Sequence, residues 1–251
     1  MKAKQRRSRL DDLLVARGLA ASPQKAQAMI LAGEVFVDGG RVSKAGTSVA
    51  DDAALEVNSR EQKYASRGGF KLEGALRDFQ INPAGKICLD IGSSTGGFTD
   101  CLLQHAATRV YAVDVTVNQI AWKLRKDPRV MRVERNAREL NSRDIPEPVD
   151  LITVDVSFIS AGRVLAPAAG ACKPGADFLI LVKPQFELGR EEIGPGGIVS
   201  DPTFHEKAIA IVRDAAQSAN LLDLGVQPSQ LTGAEGNQEY FLHARKKPPL
   251  E

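Results

Sequence analysis

The sequence predicts an α/β chain in which a mostly parallel sheet, covered by helices on both faces, follows a small α+β unit. Three observations carry this prediction. From residue 86 onward, short apolar runs alternate with stretches of helical period, the pattern of strands joined by crossover helices. The first run ends in an acid and a glycine-rich turn, Asp90-Ile91-Gly92-Ser93-Ser94-Thr95-Gly96-Gly97, which reads as strand, tight loop and helix start. Residues 9–57 have a different character, two short amphipathic helices followed by alternating strands. The 251 residues, 43% of them hydrophobic, are enough for two domains. We expect these at residues 1–60 and 71–251, with a linker over 61–70.

In the first unit, Leu10, Leu13 and Leu14 followed by Gly18 give a short helix with a glycine stop. Ser22 caps a second helix over residues 24–31, with Ala26, Met29 and Ile30 inward and Gly33 ending it. Residues 34–42 alternate around Asp38-Gly39-Gly40, a hairpin signal, and Val49 and Leu55-Glu56-Val57 supply further strand pieces. The pattern Arg9-Leu10-Asp11, Gly18-Leu19, Ser22, Lys25-Ala26, Ile30, Gly33, Val35, Val37 resembles the RNA-binding module first described in ribosomal small-subunit protein four. One departure is Pro23, where that family usually has Arg, which removes a phosphate contact. The lesser alternative is a small α+β domain for protein contacts. Five of the first nine residues are basic, Lys2, Lys4, Arg6, Arg7 and Arg9, an arm that reaches RNA or a frayed, solvated terminus.

Residues 59–69 are polar and end in Gly68-Gly69, the composition of a linker. Phe70, Leu72, Ala75, Leu76 and Phe79 then mark an amphipathic helix. Strands are expected at 86–90, 109–114, 130–134, 151–155, 178–183, 221–226 and 240–244, the last antiparallel because a short loop precedes it. Helices fit 100–105, with Thr99 as N-cap, and 119–125, 161–169 and 204–219. Residues 185–202 carry Gly, Pro and charges, and are long enough for a mobile lid.

The glycine loop narrows the ligand. A dinucleotide fingerprint wants G-x-G-x-x-G, but three residues separate Gly92 from Gly96; a P-loop wants Lys after its last glycine, where Phe98 stands. An acidic strand end, Asp90, beside an uncharged Ser/Thr-rich loop suits a ligand with a cationic centre and no phosphate. S-adenosylmethionine is such a ligand. Asp114 closes the next apolar run 22 positions after Gly92, where doubly wound folds place the acid that takes ribose hydroxyls. The fold is then the methyltransferase version of the Rossmann-like sheet.

Asp155 and Lys183 end the fourth and fifth strands, Lys71 lies on the helix before the sheet, and Glu239 opens the last strand. Ligands of open α/β sheets sit at the carboxyl ends of strands, so Asp155 and Lys183 should flank a transferred methyl. A ribose hydroxyl, with a pKa roughly five units above neutrality, must lose its proton as it attacks. An amine takes that proton only in its neutral form, which burial and a second cation favour, while carboxylates hold the amines in place.

The pieces Ser66-Arg67-Gly68-Gly69-Phe70-Lys71-Leu72, residues 90–99, Asn136-Ala137-Arg138, Asp155 to Ser160, Lys183 to Glu187 and Gly236-Asn237-Gln238-Glu239 resemble, in order, the TlyA-type ribosomal RNA 2′-O-methyltransferases, relatives of the FtsJ methyltransferases that are often called haemolysins. The resemblance implies a Rossmann-like class I methyltransferase sheet with an N-terminal RNA-binding domain, S-adenosylmethionine as cofactor and ribosomal RNA or ribosomal subunits as partner. It carries the family's Lys-Asp-Lys-Glu tetrad onto Lys71, Asp155, Lys183 and Glu239, with Lys183 as the catalytic lysine. It places the cofactor on Asp90, Gly92, Ser93, Ser94, Thr95, Gly96, Gly97, Phe98 and Asp114, with Asn136 and Arg138 on the adenine side. RNA contacts are expected at Arg6, Arg7, Arg9, Lys25 and Arg67. The chain departs from the family at Thr116-Val117-Asn118, where Gly-x-Gly is usual, and at Ala234, where Pro is common.

A net charge of +2 gives no overall field for nucleic acid, so only local basic patches argue for it. Cys88, Cys101 and Cys172 are widely spaced in apolar sequence and read as buried thiols of a reducing compartment; no metal is expected. No signal peptide is visible and the longest aliphatic runs are too short to span a bilayer, so a cytoplasmic protein with no membrane partner is expected; the oligomeric state is open, with a monomer favoured. Two other functions stay open: a membrane-lytic protein, as the haemolysin label suggests, and an RNA-binding protein that keeps the cofactor fold without activity.

Overall fold

The computed structural model describes residues 7–20, 22–57, 63–141, 143–233 and 235–248. The chain forms two compact units, residues 1–63 and 64–251.

In the first unit, β1 (Arg7–Arg9) pairs antiparallel with β4 (Ser48–Ala50), and β2 (Val35–Val37) lies between β3 (Gly40–Arg41) and β5 (Leu55–Val57). Helices α1 (Leu10–Ala16) and α2 (Pro23–Leu31) bury Leu10, Leu13, Leu14, Ala26, Met29 and Ile30 against Val35 and Val49. Ser22 caps α2 by accepting from the Lys25 N–H, and Pro23 fits because the first turn needs no donor there. The basic arm differs from expectation: Arg7 to Arg9 is a strand, which the sequence concealed because Arg-Ser-Arg has no apolar alternation.

The second unit begins with α3 (Gly68–Asp78) and the alternation β6 (Ile87–Ile91), α4 (Gly97–Gln104), β7 (Arg109–Asp114), α5 (Trp122–Arg125), β8 (Val130–Glu134), β9 (Val149–Val154), α6 (Gly162–Gly170) and β10 (Cys172–Val182). It closes with α7 (Pro184–Glu187), α8 (Pro202–Ser218), β11 (Leu221–Pro228) and β12 (Tyr240–Lys246). The seven strands run in the order β11-β12-β10-β9-β6-β7-β8, and β12 is antiparallel to both its neighbours, as expected. Strand alternation separates two cores. Leu89, Ile91, Ile152 and Val154 pack under α6 and α8, while Cys88, Val110 and Leu151 pack under α3, α4 and α5. Cys88 and Cys101 are buried and Cys172 half-buried, none of them bridged.

Three local expectations need correction. Residues 64–69, expected to be linker, are folded: Tyr64 is fully buried and lies edge-on to Phe70 at 5.1 Å, a single aromatic whose burial no period announces. Helix α4 starts at Gly97, not after a Thr99 cap, because Thr99 gives its hydroxyl to Asp90 instead. The helix expected at 119–125 is a 3₁₀ turn at Val117–Gln119 followed by the single turn α5, since Ile120 and Ala121 are extended. The stretch 185–202, read as long enough for a lid, begins in α7 and holds two 3₁₀ turns, Arg190–Glu192 and Pro195–Gly197.

Candidate active site

The chain leaves β6 toward β7 and β8 on one side and returns to β9 on the other, so the carboxyl ends of β6 and β9 form the switch point where such sheets open a crevice. The two ends touch: Gly92 has φ +84°, and a Cβ there would lie 2.3 Å from the carbonyl oxygen of Asp155. Only glycine fits both restraints. Gly92, Ser93, Ser94, Thr95, Gly97 and Phe98 line a cleft whose facing wall is Ser66, Arg67, Gly68 and Lys71. Gly96 lies behind it, with a Cβ position 2.3 Å from Leu124. The cleft continues past Gly92 and Ser94 to Asp114, Asn136 and the Asp155 to Ile159 segment. Asp114 accepts from the Ser94 and Thr116 N–H groups at 2.9 and 3.1 Å, which ties the loop to the end of β7. Asn136 lines the cleft and accepts from the Arg138 N–H; the Arg138 side chain is exposed and does not line it, whereas Arg135 does.

Asp90 is not at the cleft surface. It is fully buried beneath the first turn of α4, accepting from Thr99 Oγ1 at 2.6 Å and Thr153 Oγ1 at 3.0 Å. The sequence could not separate it from Asp114, since both end apolar runs. Burial pushes its carboxyl from 3.8 to about 7, against the two threonine hydrogen bonds that favour the charged form. The folded chain therefore holds a proton that the unfolded chain has released between these values. Asp90 contributes its full stability below about pH 4 and loses it as pH rises to about 7. Asp90→Asn should lack this loss, so its stability relative to wild type should grow by about 2–4 kcal/mol across that window. Urea unfolding at both ends of the window checks this, and parallel wild-type and variant curves would refute it.

Lys71, on α3, donates to Glu239 Oε2 at 2.5 Å, with both side chains nearly buried. Lys183, directly after β10, lies 2.6 Å from Asp155 Oδ1 and donates to Ser157 Oγ at 2.9 Å. Lys71, Lys183 and Glu239 line one pocket, with Gln185, Phe186, Ile193 and Gly197 as further wall. Asp155, paired to Lys183, and Lys71 also face the glycine-loop cleft, and Ser157 and Phe158 border both cavities. The four residues thus come together where the two cavities meet.

Three neighbours were not singled out from sequence. Ser157 sits between Asp155 and Lys183. Phe158 has φ +66°, is 89% exposed and lies 5.2 Å from the Phe186 ring; a non-glycine residue held in this region is strained. Asn237, 1% exposed, accepts from the Val199 N–H and donates to the Gly197 carbonyl, both at 2.8 Å, fastening the connection before α8 to the turn before Glu239. Its place two residues before Glu239 was the available signal. Among the expected RNA contacts, Arg9 is bound bidentately by Asp11, Arg7 reaches Ser48, Lys25 is exposed on α2, and Arg67 belongs to the second unit beside Lys71. Arg6 and Ala234 lie outside the described residues.

The strand order and the single antiparallel strand are those of a Rossmann-like class I methyltransferase. Residues 64–246 match the FtsJ-like methyltransferase family, to which the chain belongs, and residues 8–53 match the S4 domain. The chain is 48% identical over 242 residues to the 16S/23S rRNA (cytidine-2′-O)-methyltransferase TlyA of Mycobacterium tuberculosis, covering 96% of this chain and 90% of that protein. It is 41% identical over 238 residues to Hemolysin A of Brachyspira hyodysenteriae, covering 94% and 98%. A solved structure of a hemolysin candidate from Streptococcus thermophilus is similar with a TM-score of 0.74 at 38% identity, covering 97% of this chain and 90% of that one. Among the described residues, no helix is long and apolar enough to cross a membrane.

Proposed function

We propose that the protein transfers a methyl group from S-adenosylmethionine to a ribose 2′-hydroxyl of ribosomal RNA, with its S4 unit binding the RNA. The observation that carries this is the meeting of two lysine–carboxylate pairs, Lys71–Glu239 and Lys183–Asp155, in a pocket that opens onto the glycine-loop cleft. The residues of the cleft fit the cofactor. Gly92 and Gly97 let the loop pack against Asp155 and Ser66 where a Cβ would clash, Ser93 Oγ is buried without a hydrogen-bond partner, and the Asp114 oxygens each keep a lone pair for a ribose hydroxyl. When bound, S-adenosylmethionine supplies an electrophilic methyl on a sulfonium.

The chain's own residues supply the rest. Lys183 accepts the 2′-hydroxyl proton at Nζ as the oxygen–carbon bond forms, and Asp155 and Ser157 hold that amine in place. Lys71, fixed by Glu239, orients the ribose from the opposite side of the pocket. Phe158 offers an exposed ring at the mouth for a base to stack on. The ribosomal substrate follows from the 48% identical relative named for that reaction.

The test is transfer of labelled methyl from S-adenosylmethionine to purified ribosomal subunits and to naked ribosomal RNA, followed by alkaline hydrolysis, which a 2′-O-methyl blocks at the adjacent phosphodiester. Label on a ribose oxygen is expected, and Asp114→Ala should weaken cofactor binding by about 1–3 kcal/mol in calorimetry. Label on a base, or none on any ribosomal particle, would overturn the proposal.

A further inference from the structure

Within the proposed reaction, one atom is required to do more than carry charge. A neutral amine has two N–H donors and one lone pair, and it serves as a base only when the lone pair faces the hydroxyl. An amine with no fixed acceptor can rotate about its terminal bond and point that lone pair in any direction. Lys183 Nζ donates to Ser157 Oγ at 2.9 Å, its one side-chain hydrogen bond among the described residues, and is ion-paired with Asp155 Oδ1 at 2.6 Å without hydrogen-bond geometry. Both come from the same short segment after β9, and the left-handed turn at Phe158 directly follows Ser157. Ser157 also lines both the pocket that holds Lys183 and the extension of the glycine-loop cleft toward Asp114.

We propose that Ser157 is a positioning residue for Lys183. Its hydroxyl takes one N–H of the amine while the Asp155 carboxylate holds the amine by charge, and together they limit the directions in which the lone pair can face. The inference rests on the proposed role of Lys183 as proton acceptor. The proton balance is complete: the hydroxyl proton passes to Nζ, the resulting ammonium keeps its bond to Ser157 and its ion pair with Asp155, and one proton leaves to solvent before the next turnover. The charged groups around the amine are Asp155 on its own side and Lys71, Glu239 and Glu235 across the pocket.

The test is single-turnover methyl transfer on preformed complexes of full-length enzyme, S-adenosylmethionine and ribosomal RNA, followed across the pH range in which lysine amines titrate. Ser157→Ala should lower the plateau rate about 10-fold while cofactor and RNA affinities stay within about 2-fold, because misplacement of a reacting group costs rate and not binding. Ser157→Thr, which keeps the hydroxyl, should restore the rate to within about 3-fold of wild type. In a Lys183→Ala background, Ser157→Ala should cost nothing further, the sign that the two act as one unit. A Ser157→Ala variant at the wild-type rate, or one whose defect repeats in full without Lys183, overturns the inference. If Lys183→Ala itself transfers methyl at the wild-type rate, it is the reading of Lys183 that fails. Lys183→Ala impaired with Ser157→Ala intact removes only Ser157.

Discussion

Lys183→Ala is expected to keep cofactor and RNA affinity within a few-fold and to lower the single-turnover rate by about 10²-fold or more, the cost of losing a positioned general base. Its amine is nearly buried beside Asp155, so the truncation leaves a carboxylate facing an emptied space without its counter-charge. Lys183→Arg separates charge from proton transfer. The guanidinium can still pair with Asp155, but it stays protonated and cannot accept the hydroxyl proton, so this variant should fail nearly as badly. An arginine variant that transfers methyl at close to the wild-type rate would make Lys183 an electrostatic or phosphate-contacting group and move the search for a base to Lys71 or water.

The second large effect is expected at Gly92. Alanine there meets two penalties: a left-handed φ of +84°, and a Cβ placed 2.3 Å from the Asp155 carbonyl oxygen, which belongs to backbone and cannot swing aside. Conformational strain alone costs on the order of 1–2 kcal/mol. Adding the forced separation of two neighbouring strand ends should bring Gly92→Ala to about 3 kcal/mol or more, lowering Tm by roughly 6–12 °C in a unit of this size. Gly85→Ala is the control, because that glycine has φ +74° but nothing within 4 Å of a Cβ. It should show the strain without the clash. Since the displaced Asp155 is also the partner of Lys183, Gly92→Ala should lose activity in the fraction that remains folded. Equal Tm values for the two variants would show that the close approach is not felt.

The sheet was legible because its strands are continuous apolar runs that end in acids and glycines, and buried parallel strands have to look that way. The site was legible only in part. Ser94 and Asp114 are joined by one hydrogen bond across 20 residues, and loop and acid each carry their own local signal. Lys71 and Glu239 are 168 residues apart, and nothing in the neighbourhood of either says that they meet; family resemblance, not periodicity, paired them. Asp90 shows the opposite failure. As an acid at the end of an apolar run it looked like a ligand, but on the face beneath α4 it serves the helix start, and which face a terminal acid takes depends on the layer packed above it. Thr99 misled for the same reason, since a good capping residue gave its hydroxyl to a buried acid. Phe158 gave no warning, because an exposed aromatic and a core aromatic are the same letter in an apolar-looking stretch.

The antiparallel strand β12 gives the sheet an order of assembly. It lies between β10 and β11, so β11 has no other neighbour in the sheet, and the residue just before it is the counter-ion of Lys71. Every other strand of the unit precedes it in the chain. The pair between α3 and the start of β12 therefore closes the longest loop of the site, the kind of contact whose entropy must be met before it rewards the chain. A nascent chain can complete the glycine loop, the β6–β9 crevice and the Lys183–Asp155 pair while Lys71 still lacks its partner. The pocket beside Lys71 is thus finished after the glycine-loop cleft, and a chain cut short before residue 239 ends with that cleft and with Lys71 lacking its carboxylate partner.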